Sequence, residues 1–309
     1  MLEDVGFIVG TSLMFTAPLM LCALGGVLSE NAGVTALGLE GMMTLGAFTA
    51  AASGNFTAGP WQAFLAAGLA GASLAALYAV ATVGLGSNQV VSSIAVNFLG
   101  VGGSLFFCRV FFAGATMTPP VSLDRKIPRP LNGLFPPGSF PDLVLNQYAT
   151  VYVALLLALL VWFFLSKTAA GMRIRAVGEN PAAADCLGVR VGLIRSLSVV
   201  LSGAFAGFGG AAMSIALVSS FRPTLISGHG FMALAAVIAG RWKPQGALIA
   251  CLLFGSSEAL VVFFGDRNIP SSLLSLLPYA IALVVLAGAR GTAQAPAALG
   301  LPYRRETLN

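Results

Sequence analysis

The stretch KTAAGMRIRAVGENPAAADCLGVRVGLIR, Lys167–Arg195, decides how this chain is organised. It is a long polar interruption with apolar segments of membrane-spanning length on both sides. Asn180 can cap a short helix, Pro181 suits its first turn, and Gly188 can end it in a left-handed conformation. A helix of about two turns is unstable alone in water. We therefore expect the membrane or another protein to hold it.

The composition predicts a polytopic membrane protein. Charged residues are 9% and apolar residues 57% of the 309 residues, whereas a soluble domain has about 25% charged residues. The net charge of +5 is first a signal of orientation, because no clustered basic face of the kind that binds nucleic acid is visible. The N-terminus carries Glu3 and Asp4 without a basic region, so we expect no cleavable signal peptide.

Side chains for catalysis are scarce. His229 is the only histidine, and no HExxH or GxSxG motif occurs, so we expect no catalytic residue and no metal site. An intramembrane enzyme is a remote alternative. We expect the cysteines to be reduced and structural: Cys22, Cys108, Cys186 and Cys251. No GxxxxGK[ST] loop is present, so any nucleotide energy must come from a partner that binds the nucleotide.

Apolar segments of about 20 residues, the length that crosses a bilayer, recur along the chain. They predict an all-α polytopic membrane protein of about 8–10 transmembrane helices. The segments lie near 7–28, 33–52, 61–83, 90–113, 149–166, 195–220, 226–240, 246–264 and 272–289. Gly228 and Gly230 interrupt the seventh segment, which is a candidate half-helix or re-entrant segment. Residues 1–290 form one predicted transmembrane domain, followed by a cytoplasmic tail, 291–309, that we expect to be loose.

The basic residues predict the orientation. With the loop at about 167–195 in the cytoplasm, ten Lys and Arg lie inside and six outside, which places the N-terminus outside and the C-terminus inside. The outer loop, about 114–148, contains seven prolines and is expected to be stiff and extended rather than helical. It is either a connector or a rim that receives a partner.

Spans two to four resemble spans seven to nine. GLEGMMTLGAF from Gly38 aligns with SGHGFMALAAV from Ser227, and the segments that begin at Pro60 and Pro244 also align. Serine pairs open the next span of each copy: Ser92-Ser93 and Ser271-Ser272. The copies are an odd number of spans apart, so they run in opposite directions, as in transporters with a weak inverted repeat around the pathway. Chance similarity of Ala-, Gly- and Leu-rich helices is the alternative.

Ionisable residues inside spans usually face the bundle interior or a pathway. Glu40 and His229 occupy equivalent positions, each before a shared glycine, so we expect them to approach the pseudo-two-fold axis together. The candidate pathway residues are Glu40, Met43, Asn97, His229 and Phe231. The alternative is that Glu40 and Glu258 are structural and hydrogen bonded to backbone or to Ser and Asn side chains.

Four stretches together carry a resemblance to a known family. They are SENAGVTALGLEGMM (29–43), SNQVVSSIAVNFL (87–99), GMRIRAVGENPAAADCLGV (171–189) and GHGFMALAAVIAGRWKPQGALIACLLFG (228–255). The chain resembles the branched-chain amino acid, ribose and simple-sugar permeases of bacterial ABC importers, and Gly38–Met43 is similar to the nucleoside-type branch. Where that branch usually reads Val-Asn-Ile-Gly, this chain has Thr35-Ala36-Leu37-Gly38, which leaves the exact solute open.

The resemblance implies a non-catalytic permease domain in the bacterial inner membrane. Its implied partners are a second permease of the same family, an ABC ATPase that binds ATP and Mg, and an extracytoplasmic binding protein or lipoprotein; this chain binds no cofactor itself. The implied ATPase-coupling residues are Glu179, Asn180, Pro181, Ala182, Ala183, Asp185 and Gly188. Alternating-access uptake of nucleosides or related base-containing solutes is expected. The alternatives are simple sugars or amino acids, or an ion-coupled secondary transporter.

Overall fold

The computed structural model describes residues 2–56, 59–136, 139–265, 276–288 and 295–303, and within them the chain is helical. The helices are α1 (Leu2–Asn31), α2 (Leu39–Phe56), α3 (Pro60–Ala79), α4 (Gln89–Phe111), α5 (Phe140–Leu145), α6 (Ala149–Lys167), α7 (Ala169–Glu179), α8 (Pro181–Cys186), α9 (Val191–Ala211), α10 (His229–Ala239), α11 (Pro244–Phe264) and α12 (Leu277–Gly288). In π-helical form, α3 continues over Val80–Gly84 and α9 over Ala212–Val218. Six of these helices are long and apolar enough to cross a membrane: α1, α3, α4, α6, α9 and α11. The described part of the chain is thus an all-α, multi-pass membrane protein.

Every predicted span coincides with a helix, but the second one begins later than predicted. The prediction started at residue 33, whereas α2 starts at Leu39. The preceding backbone is non-helical and uses side-chain acceptors: Thr35 N donates to Gln89 Oε1 and Ala36 N donates to Glu30 Oε1. These contacts with α4 and α1 replace the hydrogen bonds of a helical turn. The start of the last predicted span, with Ser271 and Ser272, lies outside the described residues.

The two long loops lie at opposite ends of α1. A Cβ added at Gly10, near the start of α1, would lie 2.1 Å from Leu143 O in α5. A Cβ added at Gly178 in α7 would lie 2.1 Å from the carbonyl oxygen of Asn31, the last residue of α1. Following the predicted orientation, we call the end with α7 and α8 the inner end and the end with α5 the outer end. Four basic residues counted for that orientation lie outside the described residues: Arg267, Arg290, Arg304 and Arg305.

The prolines predicted an outer loop that is extended rather than helical. The structure differs, because part of this loop is a helix. It contains α5, where Ser139 Oγ accepts a hydrogen bond from Asp142 N and Pro141 occupies the first turn. Proline is compatible with the first turn of a helix, so a high number of prolines does not by itself exclude a short helix. Elsewhere the loop pairs with the segment after α9, through Val121 N and Ser219 O at 2.7 Å.

Glycines bring the central helices close together. A Cβ at Gly71 of α3 would lie 2.1 Å from Gly203 O of α9, and one at Gly46 of α2 would lie 2.5 Å from Gly207 Cα of α9. Such close approach is how helices associate where lipid removes the hydrophobic driving force. Helix α9 therefore connects the inner end to α2 and α3 through direct backbone contact.

The tail does not hang loose over its described residues, 295–303, which we name the C-terminal strap. Ala298 N donates to Gly178 O at 2.9 Å, and Gly300 N donates to Gly33 O at 3.2 Å. Arg195 Nη1 donates to Leu301 O at 2.8 Å. The expectation of a loose tail is wrong here because these long-range bonds, which the sequence does not reveal, fasten the strap to α7, α9 and the end of α1.

Candidate functional site

Helix α10 is a half-helix that begins within the bundle. Its 11 residues extend about 16 Å, roughly half of the ~30 Å hydrocarbon thickness of a bilayer. Its last turn lies at the inner end, because Asn31 Nδ2 donates to Trp242 O at 2.9 Å just after the helix stops. The first residue, His229, therefore lies near the middle of the bundle. This agrees with the half-helix predicted from the paired glycines.

The first turns of α2 and α10 cross at this depth and run in opposite directions. Helix α2 runs towards the outer end, where Asn55 Nδ2 donates to Pro119 O at 3.3 Å, whereas α10 runs towards the inner end. A Cβ at Gly230 would lie 2.5 Å from Glu40 Cα. The aligned prolines Pro60 and Pro244 also both begin helices. These placements agree with the inverted repeat inferred from the sequence.

Glu40 supplies the cap that α10 lacks. Its Oε1 accepts from Gly228 N at 2.6 Å and its Oε2 accepts from Gly230 N at 2.7 Å. No side chain of the adjoining sequence caps α10, and Gly228 has a left-handed φ of 93°. A carboxylate at a helix N-terminus satisfies free amides and complements the positive end of the helix dipole. Glu40 thus lies against the amides on both sides of His229, the approach that the repeat predicted.

A side chain from the third helix of each repeat holds the start of its first helix, α2 in one copy and α10 in the other. In the first copy, Asn97 of α4 accepts from Gly41 N at 2.9 Å and donates to Leu37 O at 3.0 Å. In the second copy, the hydroxyl of Tyr279 in α12 donates to Ser227 O at 3.1 Å. Sequence reasoning missed Tyr279. The signal that could have found it is its place in the span that the repeat pairs with α4.

His229 and Glu258 are a pair of ionisable side chains that face each other at this junction. His229 Nδ1 lies 2.6 Å from Ile226 O, and because a carbonyl only accepts, Nδ1 carries a proton. His229 Nε2 lies 3.8 Å from Glu258 Oε1 and, within the described residues, has no hydrogen-bond partner. The two side chains are 16% and 19% exposed. The Nε2 atom of His229 is buried and faces the Glu258 carboxylate.

The candidate pathway residues divide into three places. Glu40, Asn97 and His229 meet at the crossing of α2 and α10. Met43, one turn further along α2, is fully buried, and its carbonyl oxygen packs on Gly210 of α9. Phe231 is 49% exposed on the surface of α10. In this conformation, therefore, Phe231 is an aromatic side chain near the junction with an exposed surface, as is Tyr279, while Met43 belongs to the core.

At the inner end, α8 has the caps that the sequence predicted. Asn180 Oδ1 accepts from Ala183 N at 3.0 Å, and Pro181 lies in the first turn. Gly188 follows the helix with a left-handed φ of 81°. Local sequence alone thus specifies where this short helix begins and ends.

One face of α8 is exposed and the other is packed on the chain itself. Ala182, Ala183 and Cys186 are exposed, and the Leu187 side chain is 84% exposed. On the opposite face, Ala184 is buried in a small cluster with two other apolar side chains: Val177 and Val191. The exposed face is therefore the part of α8 that the rest of the described chain leaves uncovered.

The C-terminal strap also holds α8. The hydroxyl of Tyr303 donates to Asp185 Oδ2 at 3.2 Å, and Ala297 N donates to Glu179 Oε2 at 3.4 Å. The expectation that only the membrane or another protein could stabilise α8 is therefore wrong. Its own tail and neighbouring helices do so, and α8 is preformed before any partner binds.

No group of three His, Cys, Asp or Glu side chains within the described ranges is arranged to hold a metal ion. Two features stand out in the described residues: the polar crossing of α2 and α10 in mid-bundle, and the exposed face of α8 at the inner end. The long apolar helices are those of a multi-pass membrane protein. The chain belongs to the family described as branched-chain amino acid transport system / permease component, whose model matches residues 8–288.

Three relatives are similar over most of the chain. The guanosine ABC transporter permease protein NupQ of Bacillus subtilis is 38% identical over 317 residues, covering 97% of both chains. The nucleoside ABC transporter permease protein NupC of Lactococcus lactis is 38% identical over 313 residues, covering 96% of both. A putative glucose ABC transporter permease protein, TsgC13 of Haloferax volcanii, is 37% identical over 251 residues, covering 78% of this chain and 73% of the relative.

Proposed function

We propose that this chain is the translocation subunit of an ATP-driven importer for nucleosides or related base-containing solutes. The observation that carries the proposal is the 38% identity, from end to end, to permeases named for guanosine and for nucleosides. The chain itself has no catalytic role and binds no cofactor. ATP and Mg bind to a separate ATPase.

The exposed face of α8 supports the coupling role. The ATPase seats on Asn180, Ala182 and Ala183 together with the projecting Leu187. Motion of α8 passes to α7, to the strap and to α9, because these elements share one small core and several hydrogen bonds. Helix α9 touches α2 at Gly46 and Met43, next to the crossing with α10. Rocking of the two halves about that crossing then gives alternating access.

The crossing of α2 and α10 supports a polar path for a base or a ribose. His229 Nε2 lies there, buried and without a hydrogen-bond partner within the described residues, opposite Glu258, and opening of the bundle would expose both to a solute. Phe231 offers an exposed aromatic ring on which a base can stack. The other candidate pathway residues shape the route without binding the solute: Glu40, Asn97 and Met43. The polar groups of Glu40 and Asn97 are hydrogen bonded within the chain, and the Met43 side chain is buried.

The proposed assembly contains a second permease of the same family, two ATPase subunits and an extracytoplasmic binding protein that docks at the outer end.

The chain lies in the inner membrane of a bacterium with its N-terminus outside and its C-terminus in the cytoplasm. Single cysteines at Ser139 and Ala183, in a chain without other accessible cysteines, test this orientation. They should react with an impermeant thiol reagent from opposite sides of the membrane, and labelling from one side would overturn it.

A sugar is the second candidate solute, because TsgC13 is named for glucose and is 37% identical over 251 residues. Uptake of labelled guanosine by cells that depend on this importer separates the two. Unlabelled nucleosides and bases should compete, while glucose, ribose and branched-chain amino acids should not. Competition by a sugar alone would overturn the nucleoside proposal. Uptake that persists after deletion of the ATPase would favour the ion-coupled rival.

A further inference from the structure

Arg195, in the second turn of α9, is buried with most of its guanidinium unmatched. Its side chain is 2% exposed, and its Nη1 donates to Leu301 O at 2.8 Å. Within the described residues, Nε and Nη2 have no hydrogen-bond partner. Burial of a charged group is unfavourable unless acceptors compensate it. The carbonyl of Leu301 supplies one acceptor to a fork that has five donors.

Arg195 is one of the residues that line a cavity of about 290 Å³. Its walls come from the end of α3, the first turn of α9, the helix α8 and the C-terminal strap. Arg190 lines it as a second cation, and its side chain does not cap α9. The carboxylate that faces the cavity, Asp185, already accepts from the hydroxyl of Tyr303. The positive charge of two arginines and of the uncapped N-terminus of a 21-residue helix thus exceeds the negative charge of one carboxylate. The net positive charge favours binding of an anion.

The cavity lies where two spans leave the membrane. The candidate span that contains α3 ends at Gly84, and the one that contains α9 begins at Val191. Thr82 and Gly192, near those ends, both line the cavity. This is the level of lipid headgroups, and basic pockets between spans on the cytoplasmic side suit anionic headgroups. A ligand here contacts α8, α9 and the strap at once.

We propose that this cavity binds a phosphate-bearing anion, with Arg195 as its buried ligand and Arg190 as the second. The planar guanidinium fork can donate two parallel hydrogen bonds to one phosphate group. The source is either the phosphodiester of an anionic lipid or free phosphate. The inference does not depend on which solute the protein transports.

The test is thermal unfolding of the purified full-length chain in a neutral detergent. Phosphatidylglycerol, diacylglycerol with the same acyl chains, and inorganic phosphate against chloride of equal ionic strength are titrated separately. A binding site raises the unfolding midpoint in a saturable way. A rise with phosphatidylglycerol alone identifies a lipid headgroup, and a rise with inorganic phosphate identifies the phosphate group itself. If neither raises the midpoint above its control, the proposal is overturned.

Two variants locate the response in the cavity. Arg195→Met removes the charge with little loss of volume and should raise the half-saturating concentration at least about tenfold, the equivalent of one charged hydrogen bond. Gly192→Leu keeps Arg195 but fills the cavity, and its Cβ has room, with Val83 Cγ1 nearest at 3.9 Å. If Arg195→Met fails to fold, Gly192→Leu alone decides, and it should weaken the response similarly.

Arg175→Met is the matched control, because Arg175 is an exposed arginine of α7 at the same end of the bundle and lies outside both this cavity and the neighbouring one that Arg190 also lines. It should respond as the unmodified chain does. Equal responses of the cavity variants and the unmodified chain would overturn the proposal. So would an equal loss in Arg175→Met, since that would indicate attraction by surface charge alone.

Discussion

Two short helices, α8 and α10, begin with capped N-termini, and they obtain their caps in opposite ways. The cap of α8 is the residue just before it, Asn180, which accepts from Ala183 N. The cap of α10 is Glu40, which is 188 residues away in sequence from Gly228, whose amide it binds. The first helix is specified locally, and the second exists only when two distant segments have come together.

This difference matches what the two helices do in the proposed mechanism. A locally capped helix with an exposed face can be presented to a partner as a preformed unit. A helix whose first turn is held by another span fixes how two halves of the bundle meet. Changes at α10 should therefore affect folding of the whole chain, whereas changes at α8 should affect coupling and local order.

Gly230→Ala should have the largest effect. The added Cβ would lie 2.5 Å from Glu40 Cα and 2.6 Å from Glu40 N, backbone atoms that cannot rotate away. Overpacking of this kind costs about 1–3 kcal/mol or more, so we expect little monodisperse protein by size-exclusion chromatography. Gly102→Ala on α4, where nothing lies within 4 Å, is the control and should behave normally. Equal recovery of both variants would mean that the contact between α2 and α10 is not close.

Glu40→Gln should have the next largest effect. Glutamine keeps the shape but replaces one acceptor oxygen by an NH₂ group, so either Gly228 N or Gly230 N loses its partner. The loss of one charged hydrogen bond in a buried site corresponds to about 1–3 kcal/mol, seen as a lower midpoint of thermal unfolding in detergent. Glu3→Gln, an exposed carboxylate of α1, should leave the midpoint unchanged. An unchanged midpoint for Glu40→Gln would remove Glu40 as the cap of α10.

Asn180→Ala should have a smaller and more local effect. Removing an N-cap costs roughly 1 kcal/mol, and α8 lies outside the main core, so global unfolding should stay the same. Hydrogen exchange at the amides of α8 should be about fivefold faster, as expected for roughly 1 kcal/mol. Asn180→Asp, which keeps the acceptor, should exchange like the unmodified chain. Unaltered exchange in Asn180→Ala would show that the strap alone holds α8.

Tyr303→Phe should have the smallest effect. It removes the hydroxyl that donates to Asp185, with a net loss of about 0.5–1.5 kcal/mol at most. Hydrogen exchange should increase slightly in α8 and not in α10. Tyr279→Phe, which removes the hydroxyl bonded to Ser227 O, should do the reverse. If both variants loosen both helices, the two caps are not independent.

Sequence patterns predicted the features that depend on neighbouring residues. Hydropathy located the spans, and Asn180, Pro181 and Gly188 defined α8, because capping preferences act over a few residues. The internal repeat predicted that Glu40 and His229 lie close together, because they occupy equivalent positions in its two copies. The role of Glu40 as a cap for α10, the anchoring by Tyr279 and the packing of the strap depend on long-range contacts. No local pattern reports those, so they became visible only in three dimensions.

The most direct test of the coupling role of α8 is ATP-driven accumulation of labelled guanosine in vesicles that contain the complete importer. The Asn180→Gly, Pro181→Gly double variant removes both the cap and the first-turn proline of α8 without touching the crossing of α2 and α10. We expect the variant to insert at the normal level but to accumulate no guanosine above the ATP-free background, while the unmodified importer does. Accumulation by the double variant at the normal rate would contradict the assignment of α8 as the coupling helix.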